Sequence, residues 1–337
     1  MVLKAKKSTK PLVTFYILSY NEKDYIKGAI RSIENIDFDH PIQIIIIDNG
    51  SVDGTIPYLQ KSFPQHQLIE SGKNMGTAAF NLAIPFTRGK YIAFLASDMT
   101  VEKDSIKILV DYMENHKDVG GLHPKFKNFE KKETLEDYVF SRSFYWMSIS
   151  TLNTIRGAMS LGPGFVRTEI IKKIGGIYDP FYFYSYEDQD LAMRIKLFGY
   201  QVLFHPKAVF YHLGNVGFKK TRTDSQRIFL STRNQTITMI KISAFHNLVW
   251  TLPYMLLIRS AVILYDLVRL RFSNAFARLK GSFWVLANLH FVLRKRMDTQ
   301  VLRHVKDSFI FDQADELQFI YHVLKKILTF KSVEVHY

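Results

Sequence analysis

Ile42-Gln43-Ile44-Ile45-Ile46-Ile47-Asp48-Asn49-Gly50-Ser51 is an almost unbroken β-branched run that stops abruptly in a polar turn. Such a run suits a strand buried on both faces, as in a parallel sheet covered by helices. Two further runs share the design. Val13 to Ser19 gives way to Ser19-Tyr20-Asn21-Glu22, after which Tyr25, Ile26, Ala29, Ile30 and Ile33 recur at helical spacing. Tyr91 to Leu95 gives way to Ala96-Ser97-Asp98. Each run thus ends in polar residues just where a helix is due. In an open parallel sheet ligands bind beyond the carboxyl ends of the strands, so the three clusters are expected to converge in space. The fold class expected is α/β, with a doubly wound, mostly parallel sheet. Val119 to Leu213 has shorter runs punctuated by Gly and Pro, and mixed strand directions are expected there.

From about Thr223 the pattern changes to long helical segments. The chain therefore divides into a basic, solvated tail over 1–10, a catalytic domain over 11–222 and a basic amphipathic helical segment over 223–337. Leu248 to Leu270 is mostly apolar but interrupted by Pro253, Arg259 and Asp266. A spanning helix needs ~20 predominantly apolar residues, so this stretch is borderline. Arg269, Arg271, Arg278, Lys280, Arg294, Lys295 and Arg296 follow, interleaved with Leu, Phe and Trp. That composition suits a helix lying in a membrane interface, or a helical cap with a solvated basic face.

With 337 residues, 47% of them hydrophobic and 23% charged, the chain can bury a sizeable core. A formal net charge of +14 points to an anionic partner: nucleic acid, an anionic membrane surface or a phosphorylated substrate. No zinc-finger spacing or RNA-recognition signature is present, which argues against nucleic acid. The absence of cysteine excludes disulfides and thiolate metal sites and fits a reducing, cytoplasmic compartment. A metal would have to use Asp, Glu, His or substrate oxygens, which favours Mg or Mn.

Three carboxylate clusters carry the chemistry, and each has two readings. Asp48-Asn49-Gly50-Ser51-Val52-Asp53-Gly54-Thr55 offers a carboxylate and an amide to a base and ribose, or simply a turn with a helix cap. Asp98 after Ser97 either ligates a divalent cation or caps a helix. Glu187, Asp188 and Asp190 open a helix, where acidic residues complement the dipole. Three carboxylates in four residues exceed that need, and one above a pocket can take a proton from an attacking hydroxyl.

The order of these blocks resembles family-2 inverting glycosyltransferases of the A-type fold, near the rhamnosyl- and galactofuranosyltransferase-like branch. The resemblance runs through Thr14 to Glu22, Asp48 to Thr55, Asn74-Met75-Gly76 with Asn81, Ser97-Asp98, Gly175 to Pro180, Glu187 to Leu191 and His212-Leu213-Gly214. It covers roughly Pro11 to Gly217, and the following Arg233-Asn234 is similar too. It implies a nucleotide-binding sheet of the A type with a C-terminal helical segment. Tyr20, with Asn21 and Glu22, would meet the nucleotide, Tyr20 stacking on its base; Asp48 and Asn49 would contact base and ribose, and Gly76 would admit the backbone to the nucleotide. Asp98, beside Ser97, would bind the metal on the diphosphate, with His212 completing the shell. Asp188 would be the base, oriented by Glu187, and Gly162, Gly164 and Asp179 would line the sugar pocket. Many relatives carry two or three acids at the metal position, whereas here only Asp98 is acidic.

The implied function is transfer of a sugar from a nucleotide-diphosphate sugar to a glycan or lipid-linked acceptor. It would proceed with inversion, assisted by Mn or Mg, on the cytoplasmic face of an anionic membrane, in polysaccharide or cell-envelope synthesis. The rival reading is a non-enzymatic nucleotide- or nucleic-acid-binding protein on an inactive fold of the same kind. A sugar-1-phosphate nucleotidyltransferase would need a Gly-rich basic loop after the first strand, where this chain has Ser19-Tyr20-Asn21-Glu22.

Overall fold

A computed structural model describes residues 10–128, 138–140, 146–148, 154–213, 223–312 and 314. The tail over 1–9, Gly214 of the last motif and the helical segment past 314 lie outside the described residues.

The first half is the anticipated α/β unit. Strands β1 (Val13–Ser19), β2 (Ile42–Asp48), β3 (Gln67–Glu70) and β4 (Tyr91–Ala96) lie in the order β3-β2-β1-β4, every pair parallel. Helices α1 (Lys23–Glu34) and α2 (Thr55–Ser62) and a 3-10 helix (Gly76–Phe86) make the crossovers. The isoleucine run of β2 divides its side chains between two cores. Ile44 and Ile46 join Ile26, Ile30 and Ile33 of α1 on one face; Ile45 and Ile47 join Phe80 and Phe94 on the other. A strand covered on both faces has no polar position to fill, which is why the alternation of an amphipathic strand is missing.

The second half mixes directions. Beyond β4 come β10 (Gly164–Arg167), β6 (Val119–Asn128), β11 (Gln201–His212) and β5 (Met99–Val101), with β9 (Arg156–Gly157) on β11. β10 runs antiparallel to both β4 and β6, β11 is parallel to β6, and β5 is antiparallel to β11. Among the described residues parallel and antiparallel pairings are therefore balanced across the whole sheet, and all the parallel pairs but β6 with β11 lie in the half that bears the first two clusters. Helices α3 (Ser105–Asn115), α4 (Thr168–Lys173) and α5 (Glu187–Leu197) cover this half. Strands β7 (Tyr138–Phe140) and β8 (Trp146–Ser148) pair only with each other.

Among the described residues after 223 the chain is mostly helical: α6 (Asp224–Ile242), α7 (Phe245–Val268), α8 (Phe272–Ala287), α9 (Leu289–Gln300) and the short α10 (Asp307–Ile310). Thr223 and Gln226 close a capping box at the start of α6, satisfying two N–H groups that would otherwise be orphaned. From Asn234 to Ile242 every residue of α6 is buried, packed against α5 on one side and α8 and α9 on the other.

Arg167 on β10 ties the second half together. Its guanidinium is buried and donates to the carbonyls of Val119 (2.8 Å), Met113 (2.6 Å) and His116 (2.9 Å). Arg167→Met strands these acceptors at about 1–3 kcal/mol each. The expected result is a urea midpoint lowered by at least ~2 kcal/mol of stability at an unchanged slope.

Candidate active site

Strand register gathers the polar clusters. Ser19 pairs with Asp48 and Leu18 with Ala96, so the ends of β1, β2 and β4 lie side by side. Asn21, with φ at 54°, locks two of the loops: its N–H donates to Ser51 Oγ (2.9 Å) and its Oδ1 accepts from the Val52 N–H (2.8 Å). Tyr20 is half-buried beside it. Asp48 is enclosed; Oδ1 accepts from the N–H groups of Gly50 (3.0 Å) and Ser51 (2.9 Å). Its Oδ2 has no hydrogen-bond partner among the described residues.

Asn49 and Gly76 do something the motif did not announce. The Asn49 amide is buried, donating to Gly76 O (3.0 Å) and Asn74 Oδ1 (3.2 Å) and accepting from the Met75 N–H (2.8 Å). Every function of that side chain thus goes to shaping the 74–76 turn. Gly76 has φ +65°, and a Cβ there would stand 2.0 Å from the Phe183 carbonyl oxygen. Glycine is required because two backbones touch. The adjoining Thr77 N–H donates to the same carbonyl at 3.1 Å.

Asp98 and His212 meet across β5 and β11, where Met99 pairs with His212. His212 Nε2 lies 3.2 Å from Asp98 Oδ2. Ser97 beside them donates its hydroxyl to the Glu22 carboxylate. Among the described residues no group of three or more His, Asp or Glu converges as a metal cage. A carboxylate and an imidazole are nevertheless a fitting pair for Mg or Mn, which takes one or two protein ligands and fills the rest from phosphates and water.

The third cluster opens α5. Phe183, Ser185 and Tyr186, none of them glycine, all have positive φ (62°, 71° and 67°). Such strain persists only where surrounding contacts over-determine the backbone, and it gathers at functional sites. The strained loop leaves Asp188 partly buried while Glu187, Gln189 and Asp190 are buried. Tyr178 donates its hydroxyl to Asp188 Oδ1 at 2.8 Å, and a Cβ on Gly162 would stand 3.1 Å from Asp188 Oδ2. Burial pushes the Asp188 carboxyl up to about 6, opposed by the Tyr178 hydrogen bond. Glu187 is driven well above the ordinary carboxylate range by burial and then by the Asp188 charge. Two adjacent acids are thereby separated in role: Asp188 ionises first, and Glu187 favours its neutral form.

Gly164 sits in the core of β10, where a Cβ would meet Leu161 at 2.8 Å. Asp179 is engaged by Lys241 (3.0 Å) and Lys295 (2.6 Å). Burial alone would raise its carboxyl, but the two lysines and the Phe181 N–H hold it well below the usual range. Gly164 is thus packed in the core, and Asp179 is paired with two cations.

The sequence model described as glycosyl transferase family 2 matches residues 14–171. That stretch, just under half of the chain, is similar to glycosyl transferase family 2. Over 109 residues it is 37% identical to the putative teichuronic acid biosynthesis glycosyltransferase TuaG of Bacillus subtilis, covering 31% of this chain and 42% of that protein. The chain spans half or less of the curated relatives it matches. A mannosyltransferase from Pyrobaculum calidifontis, solved with GDP-Man and Mn2+, shares the A-type glycosyltransferase fold: TM-score 0.51, 15% identity, 91% of this chain and 89% of that one. GalNAc-T7, solved with UDP, GalNAc and Mn2+, shares it over 70% of this chain and 48% of its own, with TM-score 0.56 and 14% identity.

The glycosyltransferase match stops at residue 171, and the strained loop and α5 lie beyond it. Their support comes from α6. Asn234 Nδ2 reaches the carbonyls of Tyr184 and Ser185 (both 2.8 Å) and Tyr182 (3.2 Å). Thr238 Oγ1 pairs with the Tyr182 hydroxyl at 2.7 Å, and Lys241 reaches Asp190 at 2.7 Å. Arg194 closes the other side of Asp190 at 2.7 Å. Asn234, Thr238 and Lys241 fall on one helical face at spacings of four and three, a polar stripe of which the sequence resemblance includes only Asn234. Asn81 is a second unannounced clamp: it donates to Tyr178 O (2.6 Å) and accepts from the Ile177 N–H (2.9 Å). Removing one partner of a buried ion pair costs about 3–5 kcal/mol. Lys241→Met, which leaves Asp190 short of a partner, is expected to lower Tm by on the order of 10 °C in a thermal melt.

Proposed function

We propose that the chain transfers a sugar from a nucleotide-diphosphate sugar to an acceptor hydroxyl with inversion, Asp188 serving as the base. The observation that carries this is the partly buried Asp188 carboxylate, held by the Tyr178 hydroxyl beside Glu187, whose carboxyl burial drives up. In the step, an Asp188 oxygen takes the proton of the acceptor hydroxyl. The acceptor oxygen bonds to the anomeric carbon as the bond from that carbon to the diphosphate oxygen breaks. The nucleoside diphosphate departs with the electron pair, and the opposite-face attack inverts the anomeric centre. Asp98 and His212 would hold Mn or Mg on the diphosphate, where such a cation neutralises developing charge.

The donor clusters at the ends of β1, β2 and β4 support nucleotide-sugar binding on the glycosyltransferase domain. Relatives named for polysaccharide synthesis support a glycan or lipid-linked acceptor at the cytoplasmic membrane face. Within the family, the arrangement of motifs favours a rhamnosyl- or galactofuranosyltransferase-like branch.

The test is release of nucleoside diphosphate from a panel of UDP-, GDP- and dTDP-sugars with Mn, Mg or EDTA. One donor is expected to be hydrolysed slowly, with the reaction lost in Asp98→Ala and in EDTA. Absence of both release and nucleotide binding across the panel would overturn the proposal. Once the acceptor is found, Asp188→Asn is expected to lower kcat by ~100- to 10,000-fold, the ordinary worth of general base assistance, with donor affinity kept. The base works only when ionised and its pKa is raised, so kcat/KM should climb with pH to about 6 and level off above it. In Tyr178→Phe the ionised form loses a hydrogen-bond donor, so this limb should move to higher pH; an unmoved limb assigns the titration elsewhere.

A further inference from the structure

Helix α7 is amphipathic in the opposite sense from a soluble cap, and α8 and α9 beside it expose large apolar residues as well as basic ones. On α7 the outward positions recur every three or four residues and are apolar almost throughout. Trp250, Leu257 and Leu264 stand in line at seven-residue spacing, 79%, 69% and 62% exposed. On α8 Phe276 and Phe283 are also exposed, as is Met297 on α9. The charges of α7 point inward instead. Arg259 is buried and donates to Gln235 Oε1 (2.7 Å) and Thr236 Oγ1 (2.8 Å), while buried Asp266 accepts from Arg278 Nε at 2.7 Å. Exposed basic residues accompany the apolar face: Arg269 and Arg271 in the turn between α7 and α8, Lys280 on α8 and Arg294 on α9.

Large contiguous apolar surface marks an interaction site. Even homodimer interfaces are only ~65% apolar, whereas α7 is apolar enough, by length and composition, to cross a bilayer. Basic residues beside such a face match anionic headgroups. We infer that α7, α8 and α9 lie flat in the headgroup–acyl boundary of an anionic bilayer, and that α7 does not cross it. Crossing would strip Arg259 from Gln235 and Thr236, and Asp266 from Arg278, and carry both charges into hydrocarbon. On their inner side the same helices hold the loop that leads to Asp188: Phe181 packs on Trp284 (5.4 Å) and Phe291 (4.8 Å). The loop then stands about one helix diameter, ~10–12 Å, from the headgroups, where a lipid-linked acceptor presents its hydroxyl. This orientation rests on the glycosyl-transfer reading above; the bilayer contact rests on the exposed face alone.

The experiment is co-sedimentation of the full chain with vesicles of phosphatidylcholine, with and without phosphatidylglycerol, alongside donor hydrolysis by the same variants. The wild type is expected to sediment with the phosphatidylglycerol vesicles and to be released by salt. Each neutralised arginine should weaken binding about five-fold, so Arg269→Gln with Arg271→Gln together weaken it roughly thirty-fold. Leu257→Ser with Leu264→Ser should weaken it at least ~10-fold. Both double variants should hydrolyse donor like the wild type, which confirms their fold and separates bilayer contact from chemistry. The chain has no cysteine, so Phe245→Cys and Val268→Cys can each carry a single spin label at either end of α7. Equal, shallow depths at the two ends are expected; ends at opposite leaflets would overturn the flat orientation. No sedimentation with either vesicle, or a dimer abolished by Leu257→Ser with Leu264→Ser, would overturn the bilayer assignment.

Discussion

Asp190 is fully buried between two cations, Arg194 on its own helix and Lys241 on α6, and the same lysine reaches Asp179. Two acids and two bases taken out of water are tolerable only when each finds its partner with good geometry. This junction fixes the relation between the sheet, the strained loop and the C-terminal helices. With Asp179 pinned at one end of the loop and Asp190 pinned in the first turn of α5, the intervening residues have little choice of path. The positive φ values at Phe183, Ser185 and Tyr186 are the outcome, and Asp188 is left as the carboxylate with an opening to solvent.

Lysine at position 241 therefore links two regions that look independent in the primary structure. The stretch that matches glycosyl transferase family 2 ends before the loop begins, and α6 starts well after it. Neither segment reads as incomplete alone. The buried polar stripe of α6 makes sense only once the loop is laid against it, and the loop keeps its strain only because that stripe is there.

Much of the parallel half of the sheet was legible because periodicity and strand-end chemistry are local. The isoleucine run of β2 shows burial on both faces, and the polar turns after β1, β2 and β4 mark one edge. The chemical pairing of Asp98 with His212 was legible as a motif, while its physical basis, antiparallel pairing of β5 with β11, was not. Asn49 and Asp179 illustrate the limit. A polar residue in a motif has the same letter whether it faces a ligand or a neighbouring backbone, and only long-range packing decides. Asn49 turns inward to the 74–76 turn, and Asp179 to lysines far along the chain.

The contact between Gly76 and Phe183 has a consequence for timing. The 74–76 turn and the loop that leads to Asp188 touch backbone to backbone, with no side chain between them to yield. Neither can shift without pushing the other. Free energy spent in ordering one is felt at the other, and thermodynamic reciprocity makes the influence run both ways. In a protein joined like this the 74–76 turn and the loop before α5 answer to one another, so a change that reorders either is borne by both.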